Sequence, residues 1–287
     1  STRRGGAGGL NTDDDVEFDE DRSEPYDRTL LTRDDEIIFS NNIFENNDSE
    51  TGNTFESIGY VGDIDFSDSS FDVFSTENED VSEYWVVEGD ANTDFTGGTG
   101  ELEAITYDVW VSPNGMDALT TTGTEQDPFQ TIDYAFSRVY PTEFNPITIY
   151  LFGGTYAPST TGEEFPIHMK SHINIVGWDK ELTIIDAEET DQVLRMEGCE
   201  INLLQNFSIT GGFSNTYTSN GSGGGIYMEE SNPIIEDVLI YGNGGVNNAN
   251  GGPSAGIYIK SSDPILNNVM VTNNSDGGIY MDESNAI

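Results

Sequence analysis

The chain has 287 residues, in which 53 Asp and Glu face ten Lys and Arg for a formal net charge of −43. Such a surface repels a nucleic-acid backbone and an anionic membrane almost everywhere, and it suits divalent cations or a basic partner. No stretch approaches the roughly 18 apolar residues of a membrane span, and the single cysteine, Cys199, rules out an intramolecular disulfide framework.

Residues 1–105 carry 29 acidic and five basic residues and no Lys. Runs such as Asp13-Asp14-Asp15 and Asp19-Glu20-Asp21 make residues 1–35 an acidic, solvated tail. The opening Ser-Thr-Arg-Arg, without Met, fits a mature secreted chain that has lost its signal peptide, and equally a fragment boundary. Residues 36–105 read as an acidic, β-rich or extended but strand-poor segment. Its short alternating pieces are Ile37-Ile38-Phe39, Tyr60-Val61, Ile64-Asp65-Phe66, Phe71-Asp72-Val73-Phe74 and Tyr84-Trp85-Val86-Val87, and it ends in a linker at Thr96-Gly97-Gly98-Thr99-Gly100. Asp63, Asp65, Asp68 and Asp72 follow one another in a strand-turn pattern, with 63 and 65 on one strand face. They are the candidate Ca²⁺ ligands. No EF-hand loop or Gly-Gly-x-Gly-x-Asp repeat accompanies them, which favours loose counterion condensation over a dedicated site.

From residue 106 onward the texture changes. Val109-Trp110-Val111-Ser112-Pro113-Asn114-Gly115-Met116-Asp117, followed by Asp127-Pro128-Phe129-Gln130-Thr131-Ile132, resembles the opening module of secreted bacterial proteins with a pectin-lyase-like β-helix. Ile147-Thr148-Ile149-Tyr150-Leu151-Phe152-Gly153-Gly154-Thr155-Tyr156, Gly162-Glu163-Glu164-Phe165-Pro166-Ile167 and Ile173-Asn174-Ile175-Val176-Gly177 continue the likeness. The resemblance implies an N-terminal capping module over 108–140, with a short amphipathic helix over 130–139, and coils over 145–287. It implies little about activity, because that family is largely uncharacterised and the fold hosts both enzymes and inert surface proteins.

The residues themselves point the same way. Gly225-Ile226-Tyr227-Met228 recurs as Gly256-Ile257-Tyr258-Ile259 and Gly278-Ile279-Tyr280-Met281. Each is followed by a matching turn: Ser231-Asn232-Pro233-Ile234, Ser262-Asp263-Pro264-Ile265 and Ser284-Asn285-Ala286-Ile287. A third piece is Phe207-Ser208-Ile209, Val238-Leu239-Ile240 or Val269-Met270-Val271. The last two units start 22 residues apart and the previous two 31, with nine extra residues placed in the same turn (Phe213 to Ser222 and Val246 to Ser254). Three short β-prone pieces per coil are too short for helices, and one coil cannot bury its own apolar side chains. Residues 106–287 therefore form an all-β, right-handed parallel β-helix solenoid of about 22 residues per coil. Asn206, Asp237 and Asn268 make one polar stack and Asn243 and Asn274 a second.

No catalytic constellation is evident. Past residue 108 the cations are Arg138, Lys170, Lys180, Arg195 and Lys260, too few to hold an acidic polysaccharide against this surface. Arg195 aligns with the tyrosines and points outward. His168 and His172 stand roughly 13 Å apart in an extended segment, unless a turn intervenes, and read as strand-edge histidines rather than metal ligands. Cys199 reads as a small buried or turn residue. Tyr227, Tyr258 and Tyr280 form an outward ladder that can stack on sugars or a partner chain, against the plainer role of shielding the sheet. These observations favour a non-catalytic extracellular structural or adhesive protein, secreted to the cell surface as part of an assembly or filament. Self-assembly would run through an open β-helix end, since Ile287 stops partway round a coil. The alternative is a carbohydrate-active enzyme or glycan-binding module with a polysaccharide partner. Neither reading involves nucleic acid or membrane insertion.

Overall fold

Alternating apolar residues on pieces of three to five residues find a dry environment only if successive coils lie on one another. In the computed structural model they do. The structure describes residues 37–44, 56–58, 62–78, 80–81, 85–87, 91–214, 222–245, 254–275 and 277–286. The acidic tail 1–35, Tyr60-Val61, Tyr84, most of both nine-residue insertions and Ile287 lie outside them. The chain divides into two units, residues 1–101 and 102–287.

In the second unit three sheets run the length of a parallel β-solenoid. The first face stacks Val109–Val111, Ile147–Leu151, Ile173–Gly177, Leu203–Gln205, Ile234–Glu236 and Ile265–Asn267. The second stacks Gly154–Tyr156, Thr183–Asp186, Ser208–Thr210, Leu239–Tyr241 and Met270–Thr272. The third stacks Ile167–His168, Leu194–Glu197, Ser222–Glu229, Ser254–Lys260 and Ile279–Asp282. All of these neighbours pair in parallel, and like residues meet like: Ile226 lies opposite Ile257, and Ile257 opposite Ile279. Ile226 and Ile257 are fully buried, whereas Ile279, on the last coil described, is 44% exposed. Burying each such side chain contributes about 1.5–3 kcal/mol.

The coil length varies more than the C-terminal repeats suggest. Bonds between equivalent positions span 26, 29, 31, 31 and finally 22 residues. The 22-residue step is the shortest: the 31-residue coils take their extra residues between the second and third faces, whereas the 29-residue coil takes most of its extra residues between the first and second. Turns are set by residues in the left-handed region that recur in register: Asn206 (φ 62°), Asp237 (53°) and Asn268 (52°) form one such column. Asn and Asp tolerate that conformation better than most residues, and the Asn268 amide donates to the Asp237 carboxylate directly beneath it.

The expected cap is present. The helix Ile132–Arg138 buries Ile132, Ala135 and Phe136 in the same core as the coil isoleucines. Thr131 is its N-cap, its hydroxyl accepting the Tyr134 N–H at 3.1 Å. Two carboxyl groups complete the first turn. Asp117 accepts the Gln130 N–H at 2.7 Å and the Thr131 hydroxyl at 2.7 Å, and Glu163 accepts the N–H groups of Ile132 and Asp133 at 2.9 Å each.

The first unit is richer in strands than its acidic composition suggests. Ile37–Ile38, Gly62–Asp65 and Ala91–Asp94 pair in parallel, as do Glu56–Ile58 with Trp85–Val87 and Ile43–Phe44 with Ser70–Ser75. Phe39, Phe66 and Phe95 occupy one position in three successive layers, with ring centroids 5.2 and 5.1 Å apart and nearly parallel planes. Within residues 96–100, read from composition as a linker, residues 96–98 form a turn and Thr99-Gly100 begin a strand. The Asp68 N–H donates to Thr96 O and the Gly98 N–H to Phe95 O, and the chain runs on into the strand Thr99–Glu103. Gly97, at φ +75°, makes that turn, and a β-carbon there would also fall 2.5 Å from an Asp68 oxygen.

Candidate functional site

Strand alternation sends every second residue of the third face away from the core, and the parallel register then aligns those residues from coil to coil. One outward column reads His168, Arg195, Tyr227, Tyr258, Tyr280, and the adjacent one Glu197, Glu229, Lys260, Asp282. The tyrosine rings stack at 5.5 and 5.1 Å between centroids, with interplanar angles of 1° and 16°. The Arg195 guanidinium continues the pile, 4.5 Å from the centre of the Tyr227 ring.

The charges beside this pile are engaged with one another. Arg195 donates to both oxygens of Glu197 at 2.6 and 3.0 Å and to the Gln192 amide oxygen at 3.1 Å. The Tyr227 hydroxyl donates to Glu229 at 2.6 Å, and Lys260 pairs with the other Glu229 oxygen. Burial opposes ionisation of Glu229, but the Lys260 ammonium and the Tyr227 hydroxyl outweigh it and hold its carboxyl below the usual range. Burial likewise pushes the Tyr258 hydroxyl up to about 12 and raises that of Tyr227 further. Neither phenol is poised as a base at neutral pH.

The three tyrosines thus face away from the core, but only one is open to water. Tyr227 is 6% exposed, Tyr258 2% and Tyr280 37%. The first two cannot offer a ring face to a sugar or partner chain, because each face is already covered by the neighbour in the pile. Their arrangement is that of a shielding, cross-strand stack worth about 0.5–1.5 kcal/mol per pair beyond the buried area.

The other sequence candidates are dispersed. Asp63 and Asp65 share the strand Gly62–Asp65, Asp68 is an exposed turn residue at φ 54°, and Asp72 sits on Ser70–Ser75. Asp63 accepts from the Asn92 amide at 3.1 Å and Asp65 from the Ser67 N–H at 2.8 Å. Among the described residues no three His, Cys, Asp or Glu side chains converge as a metal site. His168 ends a third-face strand, and His172 occupies a turn at φ 65°. Cys199 is buried, its thiol pushed up to about 11 by desolvation and donating to Met169 O at 3.1 Å; such a thiol is inert.

Side-chain ladders, more than any reactive group, organise this end of the molecule. The hydroxyls of Ser231, Ser262 and Ser284 accept the N–H groups of Cys199, Ser231 and Ser262 respectively, at 2.9, 2.9 and 3.1 Å. Each hydroxyl also donates to the carbonyl two residues before it. Sequence alignment marks these serines as matching turns. Their bonding between coils follows only from the register.

Residues 113–182 match a family model described as a protein of unknown function (DUF1565). That family is associated with β-helix proteins, and the match spans the cap helix and the first-face strands Ile147–Leu151 and Ile173–Gly177. No curated protein and no solved structure matches the chain.

Proposed function

We propose that this solenoid is a non-catalytic structural or adhesive rod, secreted and displayed at the cell surface as part of a larger assembly or filament. The observation that carries the reading is the disposition of cations. Each of the five Lys and Arg beyond residue 105 is committed to the scaffold. Arg138 lies in the cap against the rings of Phe129 and Tyr134, each 5.7 Å away. Lys170 donates to Phe136 O at 3.4 Å and Lys180 faces Asp237 at 3.6 Å. Arg195 and Lys260 are tied into the third-face network described above. A β-elimination or hydrolysis site on an anionic chain needs a cation free to neutralise the substrate or act as a base, and none of the five is placed to do so. Repetition, by contrast, serves a structural role: columns of apolar side chains and a serine ladder tie each coil to the next.

The high negative charge favours divalent ions as bridges between such rods. Electron microscopy of the native material, with and without chelator, together with a polysaccharide-degradation screen, tests the reading. Ordered filaments or sheets and no degradation are expected. Monodisperse particles that depolymerise any polysaccharide would overturn it.

A further inference from the structure

A second pair of aromatic rings lies on the turn that follows the first-face strands, away from the tyrosine column. Leu151 lies opposite Gly177 in the parallel register, so Phe152 and Trp178 stand one coil apart at the same place. Their ring centroids are 6.4 Å apart and their planes 22° from parallel. The backbone beneath them is firmly held. The Phe152 N–H donates to Val111 O at 2.9 Å, and that of Trp178 to Leu151 O at 2.9 Å and to the Thr183 hydroxyl at 3.1 Å. Yet Trp178 is 69% exposed, and its neighbour Leu182 58%. Unlike Tyr227 and Tyr258, Trp178 keeps an indole open to water beside the half-buried Phe152, and leaving an indole there forgoes the burial a core position would give.

The rings border a shallow concavity of about 550 Å³ whose polar lining includes Ser112, Asn114 and the exposed Glu125. An exposed indole with an amide, a hydroxyl and a carboxylate at the edge of its concavity complements a pyranose. The sugar's C–H face lies on the Trp178 indole, which Phe152 supports, and its hydroxyls both donate and accept at the rim. A net charge of −43 disfavours uronates, sulfated sugars and nucleotides. We propose that the Phe152–Trp178 turn binds an uncharged pyranose unit of a polysaccharide. The role this gives the site, an adhesive contact on a rod, rests on the function proposed above; the binding itself does not.

The test is titration of the ¹⁵N-labelled full chain with cellohexaose, xylohexaose, mannohexaose and chitohexaose, with hexagalacturonate as the acidic comparator. The indole resonance of Trp178, identified by its loss in Trp178→Ala, reports binding. At least one neutral hexasaccharide is expected to shift it saturably, hexagalacturonate is not, and Phe152→Ala should weaken the affinity tenfold or more while the amide spectrum away from the turn stays that of the parent. The proposal is overturned if no neutral sugar shifts the resonance, if hexagalacturonate shifts it equally, or if Phe152→Ala binds as the parent does. Absence of binding with ordered filaments still present would remove this site alone. Binding with filaments absent would remove only the assembly role.

Discussion

Asn243 bonds through both ends of its amide in the interior of the solenoid, and its truncation should be costly. It is 1% exposed. Its Oδ1 accepts the Gly212 N–H at 2.8 Å, and its Nδ2 donates to Ile209 O at 3.2 Å, to Tyr241 O at 3.1 Å and to Asn274 Oδ1 at 3.0 Å. Asn243→Ala leaves the Gly212 N–H and the Ile209 carbonyl without side-chain partners, in a cavity only an amide wide. Each buried orphan costs about 1–3 kcal/mol, so the total falls at roughly 2–5 kcal/mol. Asn274→Ala removes the same chemistry one coil further on, where the side chain is only half-buried; water can replace much of what is lost, and about 1 kcal/mol is expected. Urea unfolding followed by far-ultraviolet circular dichroism measures both. Equal costs for the two variants, or a cost for Asn243→Ala within experimental error, would refute the claim that these amides bond between coils in a dry interior.

Ile257→Ala should cost about 2–5 kcal/mol. Ile279→Ala, in the same column but 44% exposed, should cost less than half as much by the same assay. Glu163 makes stability depend on pH. Burial pushes its carboxyl up to about 8 in spite of the two backbone N–H bonds, so the folded chain holds a proton that the unfolded chain releases near the ordinary glutamate value. Its contribution is therefore full below about pH 4.5 and is lost as pH rises toward about 8, at roughly 1.4 kcal/mol per pH unit. Over that window the parent should lose stability more steeply than Glu163→Gln, and parallel profiles would count against it.

The C-terminal coils are legible in the sequence because stacking requires little beyond repetition. Gly-Ile-Tyr recurs three times, and Ile226, Ile257 and Ile279 do fall in one column. Legibility fails where the repeat is carried by few residues. In the first unit Phe39, Phe66 and Phe95 form a ladder, but strands of two to six residues and the abundance of Asp and Glu between them disguise it. The serine ladder is visible as matching letters but not as chemistry, since hydroxyl partners depend on register. Burial of Tyr227 and Tyr258 is illegible for a related reason: alternation gives the direction of a side chain but not what covers it. Trp178 belongs to a turn, outside any repeat, so neither its pairing with Phe152 nor its exposure can be read from spacing.

Asn202 is a buried asparagine that starts no ladder. Its amide donates to Lys170 O and Ile173 O at 2.7 Å each, fixing its orientation, yet its buried Oδ1 has no partner. The residue above it in register is Pro233, as the pairing of Leu203 with Ile234 requires, and proline has no N–H to offer. An asparagine ladder like that of Asn243 and Asn274 cannot continue through this position.

Selective ¹³C labelling of isoleucine δ1 methyls and measurement of their nuclear Overhauser contacts tests the stacking most directly. Coils about 4.8 Å apart should give strong contacts from Ile226 to Ile257 and from Ile257 to Ile279, and a much weaker one between Ile226 and Ile279, two layers apart. Absence of the first two contacts, or a direct Ile226–Ile279 contact as strong as either, would contradict the solenoid.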